Sequence, residues 1–285
     1  MLNKNLAFIF EFGQVLMIKI MTKIDKKIIW VTGASSGIGE ALVYQLNQLG
    51  AQLIISARRA AELARVKEAC KKKQGVHLLT LDLSETETLE EKCKQAIAIM
   101  GPIDIIIHCG GISQRDKVMN TSLAVDRRIM EVNYFGTVAL SKFLLPSMVN
   151  RKAGHHVIIT SVTGIISTPL RSAYAASKHA LHGFFDALRA EHEKDNIHVS
   201  LICPGYIKTK ISFNALMGDG SKQNTMDKAQ DNGMSPERCA SKIISAIERN
   251  KNEVYIGGLK EVAGIYLKRF FPGLFAKVVI KMAVT

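Results

Sequence analysis

The chain has 285 residues, 47% hydrophobic and 22% charged, with 38 Lys and Arg against 25 Asp and Glu for a net charge of +13. This length accommodates one large α/β domain or two small ones, and the composition excludes collagen-like and disordered chains. No apolar run reaches the ~20 residues of a membrane-spanning helix.

The longest such run, Leu6–Met21, is interrupted by Glu11, Gln14 and Lys19. Lys4 before Leu-Ala-Phe-Ile-Phe has some character of a secretory leader, but Glu11 and the lack of a small-x-small cleavage site weigh against one. Residues 1–21 are therefore read as an extension upstream of a start at Met17 or Met21. From there, short apolar runs predict strands and apolar residues at helical spacing predict helices. Strands are expected at Ile28–Thr32, Leu53–Ser56, Val76–Leu81, Ile103–Ile107, His156–Thr160, Ile197–Cys203 and Glu253–Ile256. Helices are expected from Ile38 to Leu49, Ala60 to Lys73, about Asp126 to Asn150, Ala173 to about Lys194, and Ser235-Pro236 to about Asn250. Another runs from Ser84 to about Met100, with Ser84 and Glu87 as a capping box. Alternation of this length implies βαβ units with right-handed crossovers. The expected fold is α/β: a single doubly wound, seven-stranded parallel sheet with helices on both faces. The domain spans residues 22–258, and a basic apolar tail spans 259–285. Cys70, Cys93, Cys109, Cys203 and Cys239 are odd in number and widely spaced, which reads as reduced thiols and a cytoplasmic setting.

The first strand runs into Thr32-Gly33-Ala34-Ser35-Ser36-Gly37-Ile38-Gly39 and then a helix. Gly33 permits a tight turn, Gly37 admits a pyrophosphate to the backbone, and Gly39 lets the helix lie close to the sheet. The free N–H groups and positive end of the helix then face the phosphates. No Lys-Ser or Lys-Thr follows the last glycine, so this is not an ATP-type loop.

The spacing Thr-Gly-x-x-x-Gly-x-Gly resembles the cofactor signature of the short-chain dehydrogenase/reductase family, and further motifs follow in the family's order over about residues 25–258. Asp82 matches the acidic residue that holds adenine, with Leu83 beside it. Asn133, Ser161, Tyr174 and Lys178 match the Asn-Ser-Tyr-Lys tetrad. Pro204, Gly205, Ile207 and Thr209 match the segment that contacts the nicotinamide end. The run Arg171–Ala180 with Pro-Gly-Tyr-Ile is most similar to the branch that includes the member 7B dehydrogenase/reductases and the 11β-hydroxysteroid dehydrogenases. The resemblance implies a Rossmann-type sheet and a nicotinamide cofactor held by Gly33, Ser35, Ser36, Gly37, Ile38, Gly39, Asp82, Leu83, His108, Gly110, Tyr174, Lys178 and the Pro204–Thr209 segment. One departure stands out: His108-Cys109-Gly110-Gly111 occupies the place of the family's Asn-Asn-Ala-Gly. The glycines are kept, and His108 is expected to bond a backbone carbonyl or the ribose.

An NAD preference calls for a carboxylate at the end of the second strand, against the adenosine ribose. Here Ser56-Ala57-Arg58-Arg59 stands there, and a guanidinium suits a 2′-phosphate. NADP(H) is therefore expected over NAD(H), with Arg58 and Arg59 either at that phosphate or opening a solvated helix.

Tyr174 and Lys178 are four apart on a helix and share a face. A free tyrosine titrates at about pH 10, too high for acid–base work near neutrality, and nearby positive charge lowers it. The resemblance makes Tyr174 the proton donor to a carbonyl or acceptor from an alcohol, with Ser161 bonded to the same oxygen. It also puts Lys178 on the nicotinamide ribose, and Asn133 on a water linking Lys178 to solvent. Ser161, Tyr174 and Tyr206 are expected to meet the substrate, beside Ile112, Ile165, Ile166, Leu170, Phe213, Leu216 and Met217. That mainly apolar set favours a lipophilic carbonyl or alcohol. His179 and His182, one turn apart, lack further ligands, and no metal site is expected.

A catalytically idle dinucleotide-binding or scaffold protein is the competing reading, motivated by His108-Cys109. Nucleic acid is not an expected partner, because no aromatic–basic interleaving accompanies the charge. A homodimer or homotetramer is expected. The tail carries +4 of the +13 among Phe270, Phe271, Leu274 and Phe275, and it either caps the pocket, packs on another subunit or touches an anionic membrane.

Overall fold

The computed structural model describes residues 22–280; the expected extension, Met1–Met21, lies outside the described residues. Seven strands form one sheet: β1 (Ile28–Thr32), β2 (Gln52–Ser56), β3 (Val76–Leu78), β4 (Ile105–His108), β5 (Gly154–Ile159), β6 (Ile197–Pro204) and β7 (Glu253–Ile256). All pair in parallel in the order β3-β2-β1-β4-β5-β6-β7. The order reverses between β1 and β4, and such a switch opens a ligand crevice at the strand C-termini.

The helices are α1 (Gly37–Gln48), α2 (Ala60–Glu68), α3 (Leu89–Met100), α4 (Leu123–Met130), α5 (Gly136–Arg151), α6 (Ser172–Glu191), α7 (Lys228–Asp231), α8 (Pro236–Glu248), α9 (Leu259–Phe270) and α10 (Pro272–Val279). Strand side chains alternate between two cores. Ile105 and Ile107 of β4 join the core that holds Leu42 and Leu46 of α1 and Ile243 of α8. Ile106 faces the opposite core, with Leu140 of α5 and Phe185 of α6. Trp30 is fully buried on that second face and donates its indole N–H to Ser56 Oγ at 2.9 Å.

Several expected boundaries shift. β3 ends at Leu78 rather than Leu81, and α2 ends at Glu68 rather than Lys73, followed by a short 3-10 turn at Lys73–Gly75. Ser84 caps no helix: its amide and hydroxyl both donate to Asp82 Oδ1, at 3.0 and 2.7 Å, and α3 starts after a 3-10 turn at Thr86–Thr88. The helix expected from Asp126 starts at Leu123, because the Ser122 hydroxyl accepts from the Val125 amide. It then widens into a π segment, Glu131–Phe135, before α5. Such π insertions gather at functional sites, and this one carries Asn133.

Candidate active site

The crevice is a cavity of about 1320 Å³ that runs from the glycine turn to the loops after β4, β5 and β6. Gly33 (φ +66°) and Gly37 (φ +58°) lie in the left-handed region that glycine adopts without strain. A Cβ on Gly39 would stand 2.2 Å from the Gly33 carbonyl oxygen, so only glycine lets α1 start this close to the turn. Ser35, Ser36, Gly37 and Ile38 line the cavity beneath the α1 N-terminus, a shape and polarity that fit a pyrophosphate.

At the end that fits adenosine, Arg58, Arg59, Asp82 and Leu83 line the wall. Asp82 lies 4.0 Å from both Arg58 and Arg128. Burial pushes its carboxyl up, yet the two bonds from Ser84 and the charges of Arg58 and Arg128 hold it below the usual range. Arg65, which sequence reasoning passed over as part of a solvated helix, bonds Glu40 at 2.7 Å and the Ser35 carbonyl at 3.2 Å. It thus braces the glycine turn. Its signal was weak, because a lone Arg two turns along a basic helix looks like any surface cation.

At the other end, Ser161, Tyr174 and Lys178 come together. Ser161 follows β5; its hydroxyl accepts from the Thr163 amide at 3.1 Å and the Thr163 hydroxyl at 2.8 Å. Tyr174 and Lys178 lie buried on one face of α6, with Lys178 Nζ 5.8 Å from the Tyr174 ring centroid and donating to the Ile159 carbonyl at 2.9 Å. Burial lowers the Lys178 ammonium to about 8. Burial also pushes the Tyr174 phenol above its ordinary value, while its hydrogen bond with Ser161 and the guanidiniums of Arg171 and Arg115 pull it back. Pro204, Gly205, Tyr206, Ile207 and Thr209 line the same wall.

Asn133 does not line the cavity. Its side chain is fully buried and holds the Ile112 backbone and Ser177. His108 is a correction to the expected cofactor set. It sits on the same face of β4 as Ile106, so its ring points into the second core, with Nε2 2.9 Å from Ser141 Oγ and the ring stacked on His156. The parity of the strand decides this, since alternate side chains face opposite sides. The loop after β4 is tied instead through Thr32 Oγ1, which accepts from the Gly110 amide at 3.4 Å. Among the expected substrate residues, Ile112, Ile166, Tyr206, Phe213 and Leu216 line the cavity. Ile165, Leu170 and Met217 do not; Ile165 packs outward on the tail.

The tail's inward face packs behind this end, and Glu261 is its one residue that lines the cavity among the described residues. Ile265 of α9 and Phe275 of α10 are buried against Val162 and Ile166, and Lys268 donates to the Ile165 carbonyl. Its outward face leaves Leu259 91% and Phe270 68% exposed. Among the described residues, no helix is long and apolar enough to cross a membrane.

A glycine-turn crevice ending in a Ser-Tyr-Lys cluster defines a nicotinamide-dependent oxidoreductase, and comparison with known proteins agrees. The family profile described as short chain dehydrogenase matches residues 27–217. The chain belongs to the short-chain dehydrogenase/reductase family and is a NAD(P)-dependent oxidoreductase acting on small molecules. It falls with the member 7 branch. It is 41% identical to the dehydrogenase/reductase SDR family protein 7-like of Drosophila melanogaster, over 93% of this chain and 83% of that one. It is 38% identical to the SDR family member 7B of Danio rerio, over 95% and 92%. A short-chain dehydrogenase/reductase from Burkholderia phymatum, solved in complex with NAD, shares the fold with a TM-score of 0.79 at 21% identity, covering 89% of this chain and 96% of that one.

Proposed function

We propose that the protein is an NADP(H)-dependent oxidoreductase that interconverts a carbonyl and a secondary alcohol on a substrate with an apolar body, using Tyr174 as acid and base. The observation that carries this is the convergence of Ser161, Tyr174 and Lys178 at one end of the crevice whose other end is the glycine turn. The residues present suit the cofactor: glycines where a Cβ would collide, a helix N-terminus for the pyrophosphate, and Arg58 and Arg59 in the cavity wall, whose guanidiniums suit a 2′-phosphate. When bound, the nicotinamide supplies or accepts the hydride.

The chain's own groups handle the proton. Tyr174 donates to the carbonyl oxygen in reduction and accepts from the alcohol in oxidation. Ser161 donates to the same oxygen and stabilises the charge that develops there. Lys178, held to the Ile159 carbonyl, positions the ribose and resupplies the proton. Ile112, Ile166, Phe213 and Leu216 support the apolar body of the substrate. NADPH over NADH rests on Arg58 and Arg59. Phe135 and Phe143, exposed on one helical face, support a homodimer or homotetramer. The exposed apolar residues of α9 and α10 among Lys268, Arg269 and Lys277 support contact with an anionic membrane by a cytoplasmic protein.

The test is a panel of ketones and alcohols with NADPH and NADH side by side, on wild type and Tyr174→Phe. NADPH-linked turnover that Tyr174→Phe abolishes, with NADPH still bound, is the expected result. Full turnover by Tyr174→Phe would overturn the assignment. Co-sedimentation with phosphatidylserine vesicles, with and without Phe270→Ser and Phe271→Ser, tests the tail.

A further inference from the structure

Three charged side chains are buried together at the substrate end of the cavity: Arg115 at 4% exposure, Arg171 at 6% and Asp227 at 3%. They come from three separate places. Arg115 lies in the loop after β4, Arg171 immediately before α6, and Asp227 in the segment between β6 and α8 that overhangs the cavity. Asp227 Oδ2 accepts from Arg115 Nε at 3.0 Å, Arg115 Nη2 at 2.8 Å and Arg171 Nη2 at 3.2 Å. Its Oδ1 accepts from Gln223 at 2.8 Å. Arg115 Nη1 also donates to Ser113 Oγ and the Gln114 carbonyl, both at 2.7 Å, and Arg171 lies 5.4 Å over the Tyr206 ring.

Burying ions is costly, and apolar contacts would fasten the overhanging segment to α6 without that desolvation. The cluster therefore calls for a role that needs charge. Two guanidiniums share one carboxylate oxygen, both arginines line the same cavity as Tyr174, and Arg171 starts the helix that carries it.

We infer that Arg115, Arg171 and Asp227 are positioning residues that set the proton affinity of Tyr174, the arginines favouring tyrosinate and Asp227 opposing them. This rests on Tyr174 being the acid/base. The direction of both arginines' influence on the phenol agrees with it. The other groups facing Tyr174 are Ser161 at the end of β5, Lys178 on its own helix, and Cys109 after β4, which pushes the phenol up.

The experiment counts charge. The pH dependence of kcat/KM is measured for oxidation of the best alcohol from the panel, at saturating NADP+. A second readout is the tyrosinate absorbance titration of the NADP+ complex, wild type minus Tyr174→Phe in the same cluster background. Arg171→Met removes one positive charge, and the apparent pKa should rise by about one pH unit. Arg115→Met should act in the same direction. Asp227→Asn removes the negative charge at almost constant shape and should lower the pKa. Arg171→Met with Asp227→Asn restores the wild-type charge, and its pKa should fall between those of the two single variants. A cluster that merely fastened the fold would make the double variant the sum of two losses, with no opposed shifts. Identical profiles in folded variants, or shifts in one direction for both Arg171→Met and Asp227→Asn, would overturn the inference. Turnover by Tyr174→Phe would sink the catalytic reading instead, while the absorbance titration would still report whether the cluster tunes the phenol.

Discussion

Asn133 grips Ile112 by both of its backbone groups, accepting from its amide at 2.8 Å and donating to its carbonyl at 2.9 Å. A third bond, from Nδ2 to Ser177 Oγ at 3.0 Å, ties this grip to α6. The loop bearing Gly110 and Gly111 is thereby fixed against the helix of Tyr174 and Lys178. Asn133→Ala strands several polar groups at once, each costing about 1–3 kcal/mol when left unsatisfied. A loss of about 2–4 kcal/mol in urea unfolding is expected, accompanied by loss of turnover.

The glycine turn makes a sharper steric prediction. A Cβ on Gly39 would collide with the Gly33 carbonyl oxygen at 2.2 Å. Gly39→Ala should therefore lower Tm and weaken NADPH binding by at least about tenfold, read by quenching of cofactor fluorescence. Gly183 of α6 is the control, since its Cβ would meet nothing within 4 Å. Gly183→Ala should stabilise by up to about 1 kcal/mol through helix propensity and leave NADPH affinity unchanged.

Acid should weaken the fold through two stacked histidines. Burial, and then the charge of His192, pushes His156 from 6.5 to about 4, and neither of its ring nitrogens has a hydrogen-bond partner among the described residues. Burial, followed by the charges of His156 and Lys178, pushes His108 well below its ordinary value too. Both are lowered, so the unfolded chain takes up protons first. Stability is complete above pH 6.5 and falls as the pH drops toward 4. The His156 contribution alone is about 2 kcal/mol between pH 6.5 and pH 5. A urea series across that range should show a shallower decline in His156→Phe.

Arg58 is 61% exposed at the side chain and 4.0 Å from Asp82, close enough to pair but not committed to it. If it receives a 2′-phosphate, Arg58→Ala should weaken NADPH roughly tenfold and leave NADH unchanged. Added salt should narrow the gap between the two cofactors in wild type more than in the variant. Equal weakening of both cofactors would place Arg58 elsewhere than at the phosphate.

Local chemistry explains what could be read in advance. Tyr174 and Lys178 share a face because four residues make about one helical turn, and Gly33, Gly37 and Gly39 bend one chain segment around itself. The seven strands and the wide swings between them followed from apolar periodicity alone, which is why the order of elements was legible although several boundaries moved. Ser84 shows the limit: a capping-box pattern is local, but the competing bonds to Asp82 draw on a loop whose path is set by packing.

His108 and the Arg115–Arg171–Asp227 cluster mark what the linear chain could not settle. That His108 ends a strand was readable, but which face it meets depends on the register of β4 beside β1 and on where α5 brings Ser141. Asp227 meets Arg115 across 112 residues and Arg171 across 56. No periodicity links such distant positions. The sequence alone determined the sheet's composition, the glycine turn and the Tyr-Lys pair, because each depends on near neighbours. Tertiary packing alone decided which charges surround Tyr174, because burial and electrostatic proximity are properties of segments brought together only in the folded chain.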